Sequence, residues 1–273
     1  LARDRRRFEQ LERERRPLYE SVADAIFPAY CRRESLRRAL TALEKLAEAP
    51  RGTRMVWAEA ASGHHPVFFA RGLVASGFFY PVDGRRFLVA DTALVERHRP
   101  PAAAATVAVS GGEESKTLAQ AEQVLRELAR AGCERGDIVV AFGGGVVGDL
   151  AGFCAAVYQR GARWVGIPST LVAQVDSAYG GKTGVDLPEG KNYVGAYHLP
   201  AAVICDPDLL ATLPARELAA GYAEVVKTAL IAGGRLWARV RGGAEPSDDE
   251  VILGCVRTKL AVVAADERDA GGR

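Results

Sequence analysis

Three stretches of this sequence gather residue types that do chemistry. The first is Gly143-Gly144-Gly145-Val146-Val147-Gly148-Asp149, which follows the apolar run Ile138 to Phe142 and leads into a helical pattern of small residues. Glycine lets backbone N–H groups approach a phosphate closely, at the positive end of the next helix dipole. The spacing is not GxGxxG and a tight strand-to-helix turn needs glycine anyway, so phosphate binding and plain turn geometry both fit. The second stretch, Gly111-Gly112-Glu113-Glu114-Ser115-Lys116, sets an acid and a base three residues apart; taken singly it also fits a solvated loop. The third and densest holds Ser169-Thr170, Asp176, Gly180-Gly181-Lys182-Thr183-Gly184 and Gly190-Lys191-Asn192 between Ile167 and Pro200. Lysine supplies a point charge and glycine lets the chain pass close, which suits an anionic ligand; two exposed lysine loops are the alternative. Gly-Lys-Thr here lacks the GxxxxG lead of a P-loop, so a P-loop ATPase is excluded.

Glu224 and Lys227 lie three apart in a segment otherwise rich in Ala, Val and Leu, so on a helix they share a face. A surface ion pair and a site pair are both open, as they are for Lys259, Asp266 and Glu267. The histidines (His64, His65, His98, His198) show no metal-ligand spacing.

The elements that must position these groups follow from pattern. Residues 1–48 are rich in Arg, Glu, Leu and Ala at helical spacing, and read as helix. Residues 49–65 carry Pro50, Gly52 and Gly63 and read as an irregular connection. From Pro66, short β-branched and aromatic runs (67–69, 86–90, 106–109, 138–142, 164–167) alternate with helical segments such as 117–131, which predicts a parallel α/β sheet. After Pro207 the strand texture ends, and 215–231 and 250–266 read as helices of a second unit. Strand, turn and helix, broken by glycines and Asp149, also explain the apolar stretch 138–158 better than a membrane span does.

Composition sets the bounds. The 273 residues are 48% hydrophobic and 26% charged, which excludes a disordered or fibrous chain. Thirty-six Lys and Arg against 34 Asp and Glu leave +2, too balanced for a protein whose main partner is nucleic acid. Five cysteines with no CxxC pair point to a reducing, cytoplasmic setting. The sequence starts at Leu1 and stops at Gly271-Gly272-Arg273 directly after a helical pattern, so part of a longer polypeptide is expected.

Taken together, Gly143 to Asp149, Ile167 to Leu171, Gln174 to Ser177, Gly180 to Gly184, Gly190-Lys191-Asn192, Leu213-Pro214 and Ala223 to Lys227 resemble the 3-dehydroquinate synthase family, over residues 66 to 273. The resemblance implies a Rossmann-like parallel-sheet domain that binds NAD (66–207), then the start of a truncated all-α metal- and substrate-binding domain (208–273). It implies a lyase of the shikimate pathway and of aromatic amino-acid biosynthesis. With NAD and a divalent metal, zinc or cobalt, it turns 3-deoxy-D-arabino-heptulosonate 7-phosphate into 3-dehydroquinate and phosphate. A homodimer with a small sugar phosphate as substrate, and neither nucleic acid nor membrane as partner, belongs to the same expectation. Phe8-Glu9-Gln10-Leu11, Arg16-Pro17-Leu18-Tyr19 and Val22-Ala23-Asp24 resemble the end of a shikimate kinase domain, so residues 1–48 are expected to be its helical remnant in a multifunctional chain.

The resemblance also implies site roles. Asp91, Gly111, Gly112, Glu113, Glu114, Ser115, Lys116, Gly145, Val146, Val147, Gly148, Asp149, Ser169, Thr170, Leu209, Leu210, Ala211 and Thr212 would contact NAD, with Lys182 and Lys191 bordering it. Asp176, Lys182, Lys191, Asn192, Lys227, Lys259 and Arg273 would line the substrate pocket, Arg160 would reach across a dimer interface, and Glu224 would bind metal beside two histidines expected beyond Arg273. Ala93, Ser169 and Asp186 depart from the family's Asn, Thr and Asn. A chain ending at Arg273 is expected to be inactive alone. Another sugar phosphate cyclase, or a silent NAD-binding module, is the competing reading.

Overall fold

The computed structural model describes residues 5–28, 32–81 and 83–271. Its elements run α1 (Arg5–Val22), β1 (Ala25–Ile26), α2 (Leu36–Ala47), β2 (Arg54–Glu59), β3 (His64–Phe69), β4 (Arg86–Asp91), α3 (Thr92–Arg97), β5 (Ala105–Val109), α4 (Leu118–Arg130), β6 (Ile138–Gly143), α5 (Gly145–Val157), β7 (Arg163–Pro168), α6 (Leu171–Val175), β8 (Lys182–Leu187), β9 (Gly190–Tyr197), β10 (Ala202–Cys205), α7 (Ala215–Ala232), α8 (Gly234–Arg241) and α9 (Asp249–Ala265). Among the described residues, eight strands form one sheet in the order β1-β2-β3-β10-β7-β6-β4-β5, and β8 and β9 form a separate hairpin.

The central strands are apolar on both faces because helices cover both, as a parallel sheet requires. Leu88, Val140 and Val165 point to one side, where Ala39 and Ala42 of α2 pack with Met55, Trp57 and Phe68. Phe87, Val89, Val139 and Ala141 point to the other, against Val124 and Leu128 of α4 and Leu150 and Cys154 of α5. Further along that second face, Val67, Phe69 and Val203 meet Leu171, Val225, Val251 and Val256 from α6, α7 and α9. The helices after Pro207 therefore share a core with the sheet.

The structure departs from the sequence-based elements at four places. Residues 54–59, expected within an irregular connection, form a buried strand paired antiparallel with β3. That pair is also the exception to the expected parallel sheet; every other ladder of the large sheet is parallel. Within 1–48, helix is interrupted by β1, which pairs with β2. The two glycine-flanked lysine segments are the strands of an antiparallel hairpin, joined to the sheet side through Asp186 N–H donating to the Lys116 carbonyl at 2.7 Å. Strand β10 and helix α8 carried no distinct sequence signal. The observed α/β architecture otherwise agrees with the pattern of alternating strands and helices.

Candidate active site

Every parallel strand of the central sheet ends on the same edge, and ligands of open α/β sheets bind outside those carboxyl ends. There β6 turns through Gly143 and Gly144 into α5. Gly144 is the N-cap of α5 and no side chain caps it, which leaves the first-turn amides to a ligand. The turn is packed from behind: a Cβ at Gly143 would sit 2.7 Å from Val147, and one at Gly144 would sit 2.8 Å from the Thr170 methyl. Only glycine fits this cradle. Its lining continues through Gly145, Gly148, Asp149, Pro168, Ser177 and Lys182.

The other expected nucleotide residues stand on the same edge. Asp91 caps α3 by accepting from Ala93 N–H at 2.9 Å, and Gly111 packs directly on its carboxylate. Gly112 has φ +107, which favours glycine, and begins the 3-10 turn Glu113–Ser115. Lys116, which follows, is 4% exposed and donates to Asp149 at 2.7 Å. Burial pushes the Asp149 carboxyl up, and Lys116 opposes that shift. Thr170 caps α6 through Ala173 N–H. Leu209 to Thr212 lie in a 3-10 turn (Pro207–Thr212) opened by the Asp206 side chain and clamped at its end by Arg97 and His98, which reach Thr212.

Beside the cradle, the hairpin and α9 enclose a cavity of about 580 Å³ lined by Asp149, Asp176, Ser177, Lys182, Asn192 and Lys259, among others. Lys259 Nζ donates to Asp176 at 2.8 Å, and Lys227 lies 3.8 Å from the same carboxylate. Lys227 also pairs with Glu224, one turn away on α7. Lys182 donates to Asp269 at 2.9 Å. Cations thus face one carboxylate from α7 and α9, elements far apart in sequence.

Lys191 is not part of this lining: it is exposed and pairs with Glu113 at 3.0 Å. Arg160 lies at the opposite edge of the sheet, in a groove with Arg163 and Leu199, with φ +66. Arg273 is outside the described residues. Thr183, Tyr193 and Tyr197 also line the cavity; sequence offered no sign of the two tyrosines, because their placement depends on the hairpin. Glu224 is a candidate metal ligand, but no group of three or more His, Cys, Asp or Glu able to hold a metal occurs among the described residues. These residues alone do not make a metal site.

A family model described as the N-terminal part of 3-dehydroquinate synthase matches residues 106–220. The 3-dehydroquinate synthase of Halorhodospira halophila is 43% identical over 234 residues, covering 81% of this chain and 66% of that one. The chain belongs to the 3-dehydroquinate synthase family. A 2-deoxy-scyllo-inosose synthase solved with carbaglucose-6-phosphate, NAD+ and Co2+ superposes with a TM-score of 0.65 at 25% identity, over 77% of this chain and 63% of that one. The 2-epi-5-epi-valiolone synthase of Streptomyces hygroscopicus, solved with NAD+ and Zn2+, gives 0.57 at 26% identity, over 73% and 60%. This chain spans between about half and two thirds of the length of the curated 3-dehydroquinate synthases it matches. No helix among the described residues is long and apolar enough to cross a membrane.

Proposed function

We propose that this chain supplies the NAD cleft and much of the substrate cavity of a 3-dehydroquinate synthase, a lyase that releases phosphate from 3-deoxy-D-arabino-heptulosonate 7-phosphate. One observation carries the reading: the glycine cradle and the lysine cavity share Asp149, Ser177 and Lys182. A nucleotide in one therefore meets an anionic substrate in the other.

The cradle fits the pyrophosphate, since Gly143 and Gly144 have no room for a Cβ and the turn presents the uncapped start of α5. Lys116 fixes the Asp149 carboxylate at its rim, and Asp91 and Glu113 offer acceptors for ribose hydroxyls. Bound NAD would supply reversible hydride transfer with a substrate alcohol, whose ketone form acidifies the neighbouring C–H and permits phosphate elimination. Lys182, Lys227 and Lys259 balance the substrate carboxylate and phosphate, while Asp176 holds Lys259 and Lys227 at fixed spacing before substrate arrives. Glu224 would bind metal as one ligand of a set; no step is derived through the ion, because the described residues hold no such set.

The identity of 43% to a 3-dehydroquinate synthase against 25% to a 2-deoxy-scyllo-inosose synthase favours the former over another cyclase. The lysine cavity argues against a silent nucleotide-binding module. The four described cysteines are free and buried, which supports the cytoplasm as the setting. A homodimer, with Arg160 serving the neighbouring copy, completes the proposal. Helix α2 packs in the sheet core, so a kinase-derived remnant would be confined to α1 and its flanks.

The test is titration of the chain with the heptulosonate phosphate in the presence and absence of NAD. The proposal expects tighter sugar phosphate binding with NAD present; binding unaffected by NAD would separate cleft from cavity and refute it.

A further inference from the structure

Gln174 is part of neither the cradle lining nor the cavity lining, yet its side chain is completely buried. Its Nε2 donates to the carbonyl of Pro168 at 3.1 Å and to the carbonyl of Asp206 at 2.8 Å. Two carbonyl partners fix the orientation of the amide, because only its NH2 end can donate to both. Pro168 is the last residue of β7, and Asp206 follows the last residue of β10.

These strands are neighbours whose ladder pairs Ala202 with Val165 and Val203 with Gly166. Beyond Gly166 and Val203 the strands are no longer paired, and right-handed twist separates strand ends that nothing ties. Gln174 bridges the gap. Immediately past the two carbonyls, the chain runs into Ser169-Thr170 on one side and into the turn Pro207–Thr212 on the other; Ser169, Thr170 and Leu209 to Thr212 are the residues expected above to contact NAD. Gln174 is held in turn: its N–H donates to the Thr170 carbonyl at 2.9 Å, and its carbonyl accepts from the Tyr179 hydroxyl at 2.6 Å. The Asp206 carboxylate accepts from the N–H groups of Gly72, Val74 and Asp208, which anchors the far wall.

We propose that Gln174 is a positioning residue that sets the width of the nucleotide cleft by tying the ends of β7 and β10. The proposal rests on the NAD reading of that cleft. No donor pair remains in Gln174→Met, which keeps similar bulk. In Gln174→Glu an ionised carboxylate faces two carbonyls, whereas the neutral acid can donate to one of them. Burial raises a glutamate's pKa, so the neutral form is accessible under mildly acidic conditions.

The experiment is calorimetric titration of the chain with NAD, at a temperature where near-UV circular dichroism shows every variant folded. Gln174→Met should raise the NAD Kd about tenfold, the scale of leaving two buried carbonyls without donors. Gln174→Glu should show a comparable loss at pH 8 and recover part of it at pH 6, relative to the unmodified chain at each pH. If Gln174→Met lowers the unfolding midpoint but leaves the Kd within twofold, Gln174 is merely structural and the brace is overturned. A Gln174→Glu deficit that is equal at both pH values also counts against it. Should Gln174→Met fail to fold, Tyr179→Phe deletes one supporting bond and should weaken NAD about threefold; no change overturns the brace. An unmodified chain that binds no NAD defeats the nucleotide reading itself, and the brace with it.

Discussion

The cradle at the end of β6 and the cavity beside it would hold an anion in different ways. The cradle is made of backbone: three consecutive glycines, an uncapped helix start and packing too tight for a single added carbon. The cavity is made of side chains from separate elements, with Asp176 set between Lys259 of α9 and Lys227 of α7. A backbone site is rigid and offers oriented dipoles, so it suits the constant part of a cofactor. A side-chain site offers full charges whose value depends on desolvation, so it suits a substrate that must be bound, altered and released.

Outside both regions, at the start of β3, a buried histidine should make the largest acid-sensitive contribution to stability. His65 lies on β3, is 2% exposed, and neither ring nitrogen has a hydrogen-bond partner. Burial, aided by the nearby His64 charge, pushes its imidazole down to about 3. The folded state therefore favours the neutral ring. Its stabilising contribution is complete above the unfolded value near 6.5 and is lost as pH falls from there towards 3. At pH 4 this amounts to on the order of 3 kcal/mol. Urea unfolding at pH 7 and pH 4 should show a steep acid loss in the unmodified chain and a flatter one in His65→Leu. Parallel pH dependences would remove His65 as the acid-sensitive point.

A smaller effect sharpens the contrast between buried and exposed charge. Side-chain exposure rises from 22% at Lys259 to 50% at Lys182 and 71% at Lys191. Replacing each by Ala should cost affinity for a sugar phosphate bearing a carboxylate in that order. Lys259→Ala should lose roughly 10- to 150-fold, the worth of a charge-assisted contact in a shielded site. Lys191→Ala should lose less than about fivefold, as an exposed pair does. Equal losses, read by calorimetry, would mean that the cavity does not discriminate its cations by burial.

The two regions also differ in how well the sequence discloses them. Gly143 to Asp149 is contiguous, its glycines are dictated by local geometry, and the flanking apolar strand and small-residue helix mark its place. The alternation of strands and helices from residue 66 likewise follows from local pattern. The cavity depends on contacts between α7, α9 and the hairpin, and pairing of Lys259 with Asp176 has no local signature. Tyr193 and Tyr197 reach the lining only because β8 and β9 pair. Strand β2 was hidden for a similar reason: Pro50, Gly52 and Gly63 flank it closely, so its six residues read as part of a connection although burial against β3 makes them strand. Lys191 shows the converse, since its glycine-flanked setting matches that of Lys182 but the hairpin directs it to Glu113 instead.

The central claim is that the glycine turn cradles NAD, and direct titration of NAD into the chain and into Gly144→Val tests it most directly. Branched bulk at Gly144 must collide with the Thr170 methyl, already 2.8 Å from a single added carbon. The account predicts saturable one-site binding by the unmodified chain and a loss of more than about tenfold in the variant, the scale of one disrupted charge-assisted contact or more. Equal affinity in the two proteins, with both shown to be folded, would contradict it.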